Sequence, residues 1–177
     1  MNYFELYELP VSFNIDAGML KKKFYELSKR YHPDFYATES DEKQQEILEL
    51  STQVNKAYTT LLDQQKRMAY VLSLFQLLEE GQKQSLPQSF LMEMMDINEA
   101  LMELEFDAGA KDVLEKLEVQ VKAIETNIVG GLAAQFLAFD TSAADDRENI
   151  LLKIRDIWHK KKYLLRIRDT LNMFATR

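Results

Sequence analysis

The 177-residue chain has no cysteine, only three prolines and five glycines, one tryptophan and two histidines. Without cysteine it can form no disulfide framework, thiol nucleophile or Cys-held zinc site, and it cannot ligate an iron–sulfur cluster by itself. So little Gly and Pro argues against a loop-rich β-sandwich or a Gly-rich phosphate-binding fold. The many Leu, Glu, Lys and Met residues favour helix, and the expected class is all-α. Long hydrophobic runs are also missing: none reaches the ~18 to 20 apolar residues of a membrane span. The nearest, residues 128–139, is interrupted by Gly130, Gly131 and Gln135 and reads as a buried helix. Residues 1–9 carry Glu5 and Glu8 and no Lys or Arg, which speaks against a secretory or Arg-rich transit peptide. A cytoplasmic chain, complete at its start, is expected.

What is present is an ordinary globular balance, with 46% hydrophobic and 29% charged residues. The net charge of −7 weighs against a general nucleic-acid binder. That charge is uneven. Residues 1–78 hold 11 acidic and 9 basic side chains, residues 79–118 hold 11 and 3, and residues 119–177 hold 7 and 10, for nets of −2, −8 and +3. The polar stretch 79–87 contains Gly81 and Pro87 and lacks helical periodicity, so it reads as a junction between residues 1–78 and 88–177.

In the first part, a short apolar segment from Tyr3 to Leu9 ends at Pro10, and Asp16 is a good N-cap for a longer helix. Leu20, Phe24, Leu27 and Tyr31 recur with the 3.6-residue period on one side of that helix. Lys22, Tyr25 and Lys29 lie opposite, forming a basic outer face with one aromatic in it. Pro33 disfavours helical geometry at His32 and should stop the helix. A second helix is expected after Ser40 or Asp41, with Ile47, Leu50, Val54, Ala57, Tyr58 and Leu61 inside. The two stripes can be buried together in an antiparallel hairpin whose loop, about ten residues long, carries Tyr31-His32-Pro33-Asp34.

In the second part, the helix opening Phe90-Leu91-Met92-Glu93 has a narrow core stripe of Phe90, Met94, Ile97, Leu101 and Leu104. A second apolar group, Leu91, Met95 and Met102, lies about 100° round from it, and Met92, Asp96, Glu99 and Glu103 complete the far side. Two outcomes are open: a bundle buries both stripes, or the second stripe stays exposed as a surface both apolar and acidic, suited to a basic, partly apolar partner. Two long helices should follow. One runs from about Ala110 to Ala138, weakened or bent by Gly130-Gly131, and the other follows a Thr141-Ser142 cap to about Phe174. Ile150, Ile154, Ile157, Leu164, Leu165, Ile167 and Leu171 should mark the inner side of the last helix, completing a three-helix bundle. The basic run from Trp158 to Lys162 with Arg166 and Arg168 is expected to pair with the acidic first bundle helix. His159, alone among lysines, reads as a surface residue and not a metal ligand.

The opening Tyr3-Phe4-Glu5-Leu6, the Leu20/Phe24/Leu27 stripe, Tyr31-His32-Pro33-Asp34 and Asn55-Lys56-Ala57-Tyr58 before Leu61 together resemble the J domain of DnaJ-type co-chaperones. The resemblance implies docking on an ATP-loaded DnaK-type chaperone, of the heat-shock-70 class, through His32, Pro33 and Asp34 and the face of Lys22, Tyr25 and Lys29, with stimulation of its ATP hydrolysis. The lysines would attract an acidic surface, and Pro33 would fix the loop so that Asp34 meets a cation at low entropic cost. Phe35-Tyr36 depart from the family, where a basic residue and then Phe often follow the tripeptide.

Segment 67–74, leaving this domain, and Phe90-Leu91-Met92-Glu93 with Glu99 and Glu103 extend the likeness, over nearly the whole chain, to the HscB family of iron–sulfur assembly co-chaperones. That likeness implies a DnaK/HscA-type partner and, as client, the iron–sulfur scaffold protein IscU, gripped at Leu91, Met92, Met95, Asp96, Glu99 and Glu103. A J-domain protein whose bundle takes another client is the alternative. An enzyme would need a nucleophile and base, a metal cluster or a phosphate loop, and His32 with Asp34, which could serve as an acid–base pair, lie in an exposed turn with no evident pocket. No catalytic residue, metal ligand or cofactor is therefore expected.

Overall fold

The computed structural model describes residues 1–78, 81, 86–107 and 109–176. Most of the expected junction 79–87 lies outside the described residues. The chain divides into two compact units, Met1–Gln76 and Leu77–Arg177.

The first unit is built on the helical hairpin. Helix α1 is Tyr3–Leu6, capped by Asn2 and Glu5 reciprocally. Helix α2, Ala17–Arg30, starts where Asp16 accepts a hydrogen bond from the Met19 N–H at 2.6 Å. Helix α3, Asp41–Leu62, is capped by Ser40. Leu20 and Leu27 of α2 are buried with Ile47, Val54, Ala57 and Leu61 of α3, and Phe24 stacks on Tyr58 with ring centroids 4.3 Å apart. Tyr7 is fully enclosed and its hydroxyl donates to the Val54 carbonyl at 2.8 Å. Burial, reinforced by Tyr58, pushes its phenol well above the usual tyrosine range, so it remains a donor.

Helix α4, Gln64–Leu74, packs on α3 and buries Met68, Val71 and Leu72. It also buries Arg67, whose guanidinium donates to the Phe13 carbonyl at 2.8 Å, to the Leu61 carbonyl and, at 3.4 Å, to the Leu62 carbonyl. Leu61 and Leu62 end α3, where carbonyls have no intrahelical partner, and Arg67 satisfies them. Burial lowers its pKa, partly offset by Asp63. Arg67→Leu keeps an apolar stem but leaves these acceptors unsatisfied, and we expect the first unit to lose about 2–4 kcal/mol in urea unfolding. An unchanged midpoint would mean that water replaces the guanidinium without cost.

The second unit consists of α5, Gln88–Phe106, α6, Lys111–Val129, α7, Leu132–Thr141, and α8, Ala144–Ala175. Phe90, Met94, Ile97, Leu101 and Leu104 of α5 are all buried, as their spacing predicts, against Leu117, Val121 and Ile124 of α6 and Leu164, Ile167 and Leu171 of α8. The expected middle helix is two helices. Gly130 and Gly131 separate α6 from α7 while keeping right-handed backbone angles, so the pair interrupts the helix through weak propensity and not through a left-handed turn. α7 buries Leu132, Phe136 and Phe139 and packs on α8.

Three expectations for the last helix are corrected. Thr141 ends α7, and the Ser142 hydroxyl donates back to the Phe139 carbonyl, so the pair closes one helix and caps no other; α8 begins at Ala144 without a side-chain cap. Leu165 is exposed, while Leu151 and Trp158 are buried. Two cations of the basic run find their carboxylates off α5: Arg168 grips Glu125 of α6 with two hydrogen bonds of 2.7 and 3.3 Å, and Lys160 pairs with Asp156 one turn back while its ammonium lies over the Phe90 ring of α5 at 5.8 Å. No helix among the described residues is long and apolar enough to cross a membrane.

Candidate functional site

In the first unit α2 runs directly into the loop. Lys29 and Arg30 occupy its last turn, where cations suit the negative end of the helix dipole. Lys22, Tyr25 and Lys29 are all exposed, Tyr25 at 60%, on the side away from Leu20 and Leu27. Lys21 reaches over the Tyr25 ring at 6.0 Å and Lys23 pairs with Glu8 at 3.3 Å, which leaves Lys22 and Lys29 facing water.

The loop is a short 3-10 turn, Pro33–Tyr36, with His32 as its N-cap and Pro33 in the first turn. The His32 imidazole accepts the Asp34 N–H at Nδ1, 3.3 Å away. That bond requires an unprotonated Nδ1, so the 3.6 Å approach of the Asp34 carboxylate to the same nitrogen is secondary to the cap. The Phe35 ring meets the His32 ring edge-on at 5.8 Å, and the Tyr36 hydroxyl donates to the Arg30 carbonyl at 2.9 Å, tying the turn to the end of α2. The two residues that depart from the family pattern are thus an exposed ring and a strut. Sequence reading missed the strut, for which only the phenol at position 36 was a signal. The Asp34 side chain, 85% exposed, projects from this braced turn with its charge uncommitted to the fold. Such an arrangement can present one carboxylate and two ammonium groups to a partner with little ordering left to do.

In the second unit α5 carries the other set. Its outer surface exposes Leu91 at 41%, Met92 at 62%, Met95 at 59% and Met102 at 58%, so the bundle leaves the second stripe uncovered. Asp96, Glu99 and Glu103 are exposed alongside. The structure brings all six expected residues, Leu91, Met92, Met95, Asp96, Glu99 and Glu103, onto the solvent side of one helix. Where α8 passes α5, Tyr163 packs edge-on against Phe90 at 5.9 Å and its hydroxyl accepts from the Asn98 amide at 2.9 Å.

His159 corrects another expectation. It is half-buried beside Trp158, and its Nε2 is enclosed without a hydrogen-bond partner. Burial first, then Arg155 and Lys162, hold the imidazole below the usual histidine value of 6.5 against the pull of Asp156. A depressed base binds its proton more weakly folded than unfolded, so acidification through about pH 6.5 and below favours the unfolded chain. We expect the bundle to lose stability over that range and His159→Gln to flatten the loss, as read from urea midpoints at about pH 7.5 and 5.5. Among the described residues no cluster of three or more His, Asp or Glu could hold a metal.

A helical hairpin whose basic helix ends in a braced His-Pro-Asp turn defines a J-domain co-chaperone, and residues 2–70 match the family model described as the DnaJ domain. Residues 86–172 match a second model, described as the HSCB C-terminal oligomerisation domain. A co-chaperone protein HscB homolog of Vibrio cholerae serotype O1 (strain M66-2) is 33% identical over 172 residues, 97% of this chain and 99% of its own. The solved chaperone HscB from Vibrio cholerae superposes with a TM-score of 0.62 at 32% identity, covering 97% of this chain and 99% of its own. Human co-chaperone protein HscB does so with a TM-score of 0.73 at 28% identity, over 98% and 81%. The chain belongs to the HscB family of co-chaperones.

Proposed function

We propose that this chain works in the cytoplasm as a co-chaperone that stimulates the ATPase of a DnaK/HscA-type chaperone and delivers to it the iron–sulfur scaffold protein IscU. Residues 1–78 form the J domain, 79–87 the junction and 88–177 the client-binding domain. His32, Pro33 and Asp34 with Lys22, Tyr25 and Lys29 meet the chaperone; Leu91, Met92, Met95, Asp96, Glu99 and Glu103 meet the scaffold. The observation that carries the reading is the exposed apolar and acidic side of α5, on a helix whose opposite side is wholly core. Exposed Leu and Met beside carboxylates favour a partner with apolar anchors and basic flanks. Tyr163, beside α5, is the aromatic of the last helix best placed to join that contact.

The chain itself turns nothing over; the hydrolysis belongs to the chaperone. Steady-state ATP hydrolysis by the chaperone, with and without this chain and with and without the scaffold, tests the whole reading. The chain alone should not hydrolyse ATP, should accelerate the chaperone, and should release heat on calorimetric titration with the scaffold. Hydrolysis by the isolated chain, or absence of acceleration, would sink the first half. Absence of heat and of co-purification would sink the second.

A further inference from the structure

The exposed stripe of α5 has two unlike borders. At about 100° per residue, Leu91, Met102 and Met95 lie about 100–140° from Phe90, and Glu99, Glu103 and Asp96 continue round at about 180–240°. Asn98 falls on the other border, at about 80°, and this is the edge at which α8 passes. There Asn98, Leu101, Tyr163, Arg166, Ile167 and Thr170 line a groove of about 240 Å³. Its apolar floor is Leu101 and Ile167, both buried, and its one charged group is the exposed Arg166. Lys160 and Arg168 are engaged by Asp156 and Glu125, whereas no ion pair of Arg166 occurs among the described residues. Thr170 donates to the Arg166 carbonyl at 3.0 Å and so makes no demand on the guanidinium.

We infer that Arg166 and the α5–α8 groove form a second, oppositely charged edge of the scaffold-docking surface and receive a carboxylate-bearing side chain of the scaffold. This rests on the reading of α5 as the client site. A partner segment with an apolar centre, basic residues toward Glu99 and Glu103 and one acidic residue toward Arg166 matches all three strips at once. Reversing the segment would set like charges together on both borders. The arrangement therefore fixes the direction in which the client lies across α5, something an apolar stripe with acid on one border alone does weakly. A groove of about 240 Å³ has room for one carboxylate side chain.

The test is calorimetric titration of the full chain with IscU at low and high salt. Arg166→Glu should weaken binding about tenfold at low salt, with the gap narrowing as salt rises, and Arg166→Lys should bind within about threefold of the parent. Melting temperatures of the variants check that the exposed substitutions leave the bundle folded. If Arg166→Glu binds like the parent while Leu91→Ala with Met95→Ala loses binding, the docking helix stands and this inference is overturned. If the Leu91/Met95 pair also binds like the parent, the reading of α5 fails and the inference falls with it. A loss in Arg166→Glu that salt does not alter would assign the residue a packing role and would likewise overturn the inference.

Discussion

Asp34→Asn is expected to abolish stimulation of the chaperone's ATPase while leaving the co-chaperone folded and able to bind its scaffold. The substitution is isosteric, and the bond that holds the turn is made by the Asp34 backbone N–H to the His32 ring, not by the carboxylate. The side chain is 85% exposed and its 3.6 Å approach to His32 contributes little to the fold. What disappears is one negative charge at a fixed place. When one partner of a hydrogen-bonded charge pair buried in an interface is removed, the remaining charge is left unpaired, a cost of about 2 kcal/mol or more, equivalent to at least roughly thirtyfold in the half-maximal concentration, which abolishes stimulation at concentrations where the parent is half-maximal. Stimulated hydrolysis reads this directly. Stimulation by Asp34→Asn equal to that of the parent would remove the carboxylate from the docking mechanism.

The second large effect should come from the other unit, with the reverse pattern. Met92→Ala combined with Glu99→Ala removes an exposed apolar anchor and a neighbouring carboxylate, neither of which supports the bundle core. Stability should be nearly unchanged. Scaffold affinity should fall by about 2–3 kcal/mol, roughly 30- to 160-fold, which is the scale of truncating central anchors of a protein interface. Stimulation of the chaperone by this chain alone should persist, and the additional effect of the scaffold should vanish. If the Asp34 variant and this pair lost the same activity, the division of labour between the two units would be wrong.

The parts of the molecule legible in its sequence are those where one physical signal dominates. The buried stripe of α5 follows from a single 3.6-residue period, and a strip set about 100° away is then surplus to the core. The hairpin is legible for the same reason, sharpened by the caps Asp16 and Ser40 and by Pro33. Helix α8 was harder, because it packs on α7 along one stretch and on α5 and α6 along another, so its buried side shifts along its length. Leu165 fell outside and Leu151 and Trp158 inside for that reason. Arg67 could not have been read at all: an arginine's reward for burial is a set of carbonyls from Phe13, Leu61 and Leu62 that only the folded chain brings together. At the 33–36 turn the tripeptide is plain in the sequence, but its bracing depends on the Tyr36 hydroxyl finding the end of α2.

The packing of α4 also bears on how the first unit comes into being. Tyr3 and Tyr70 stack with centroids 4.5 Å apart, and the Tyr3 N–H donates to the Tyr70 hydroxyl at 2.8 Å, a bond between residues 67 apart in sequence. The beginning of the unit is thus latched by nearly its last turn. During synthesis, α2 and α3 can pair as soon as both have left the ribosome, but Tyr3 and Phe4 cannot stack on the Tyr70 ring until α4 follows. A fragment ended at residue 70 keeps the whole His-Pro-Asp turn yet loses the last turn of α4, whereas one ended at Gln76 retains it. The His-Pro-Asp turn lies in the middle of the unit's sequence, whereas the residue that latches the unit's beginning is made near its end.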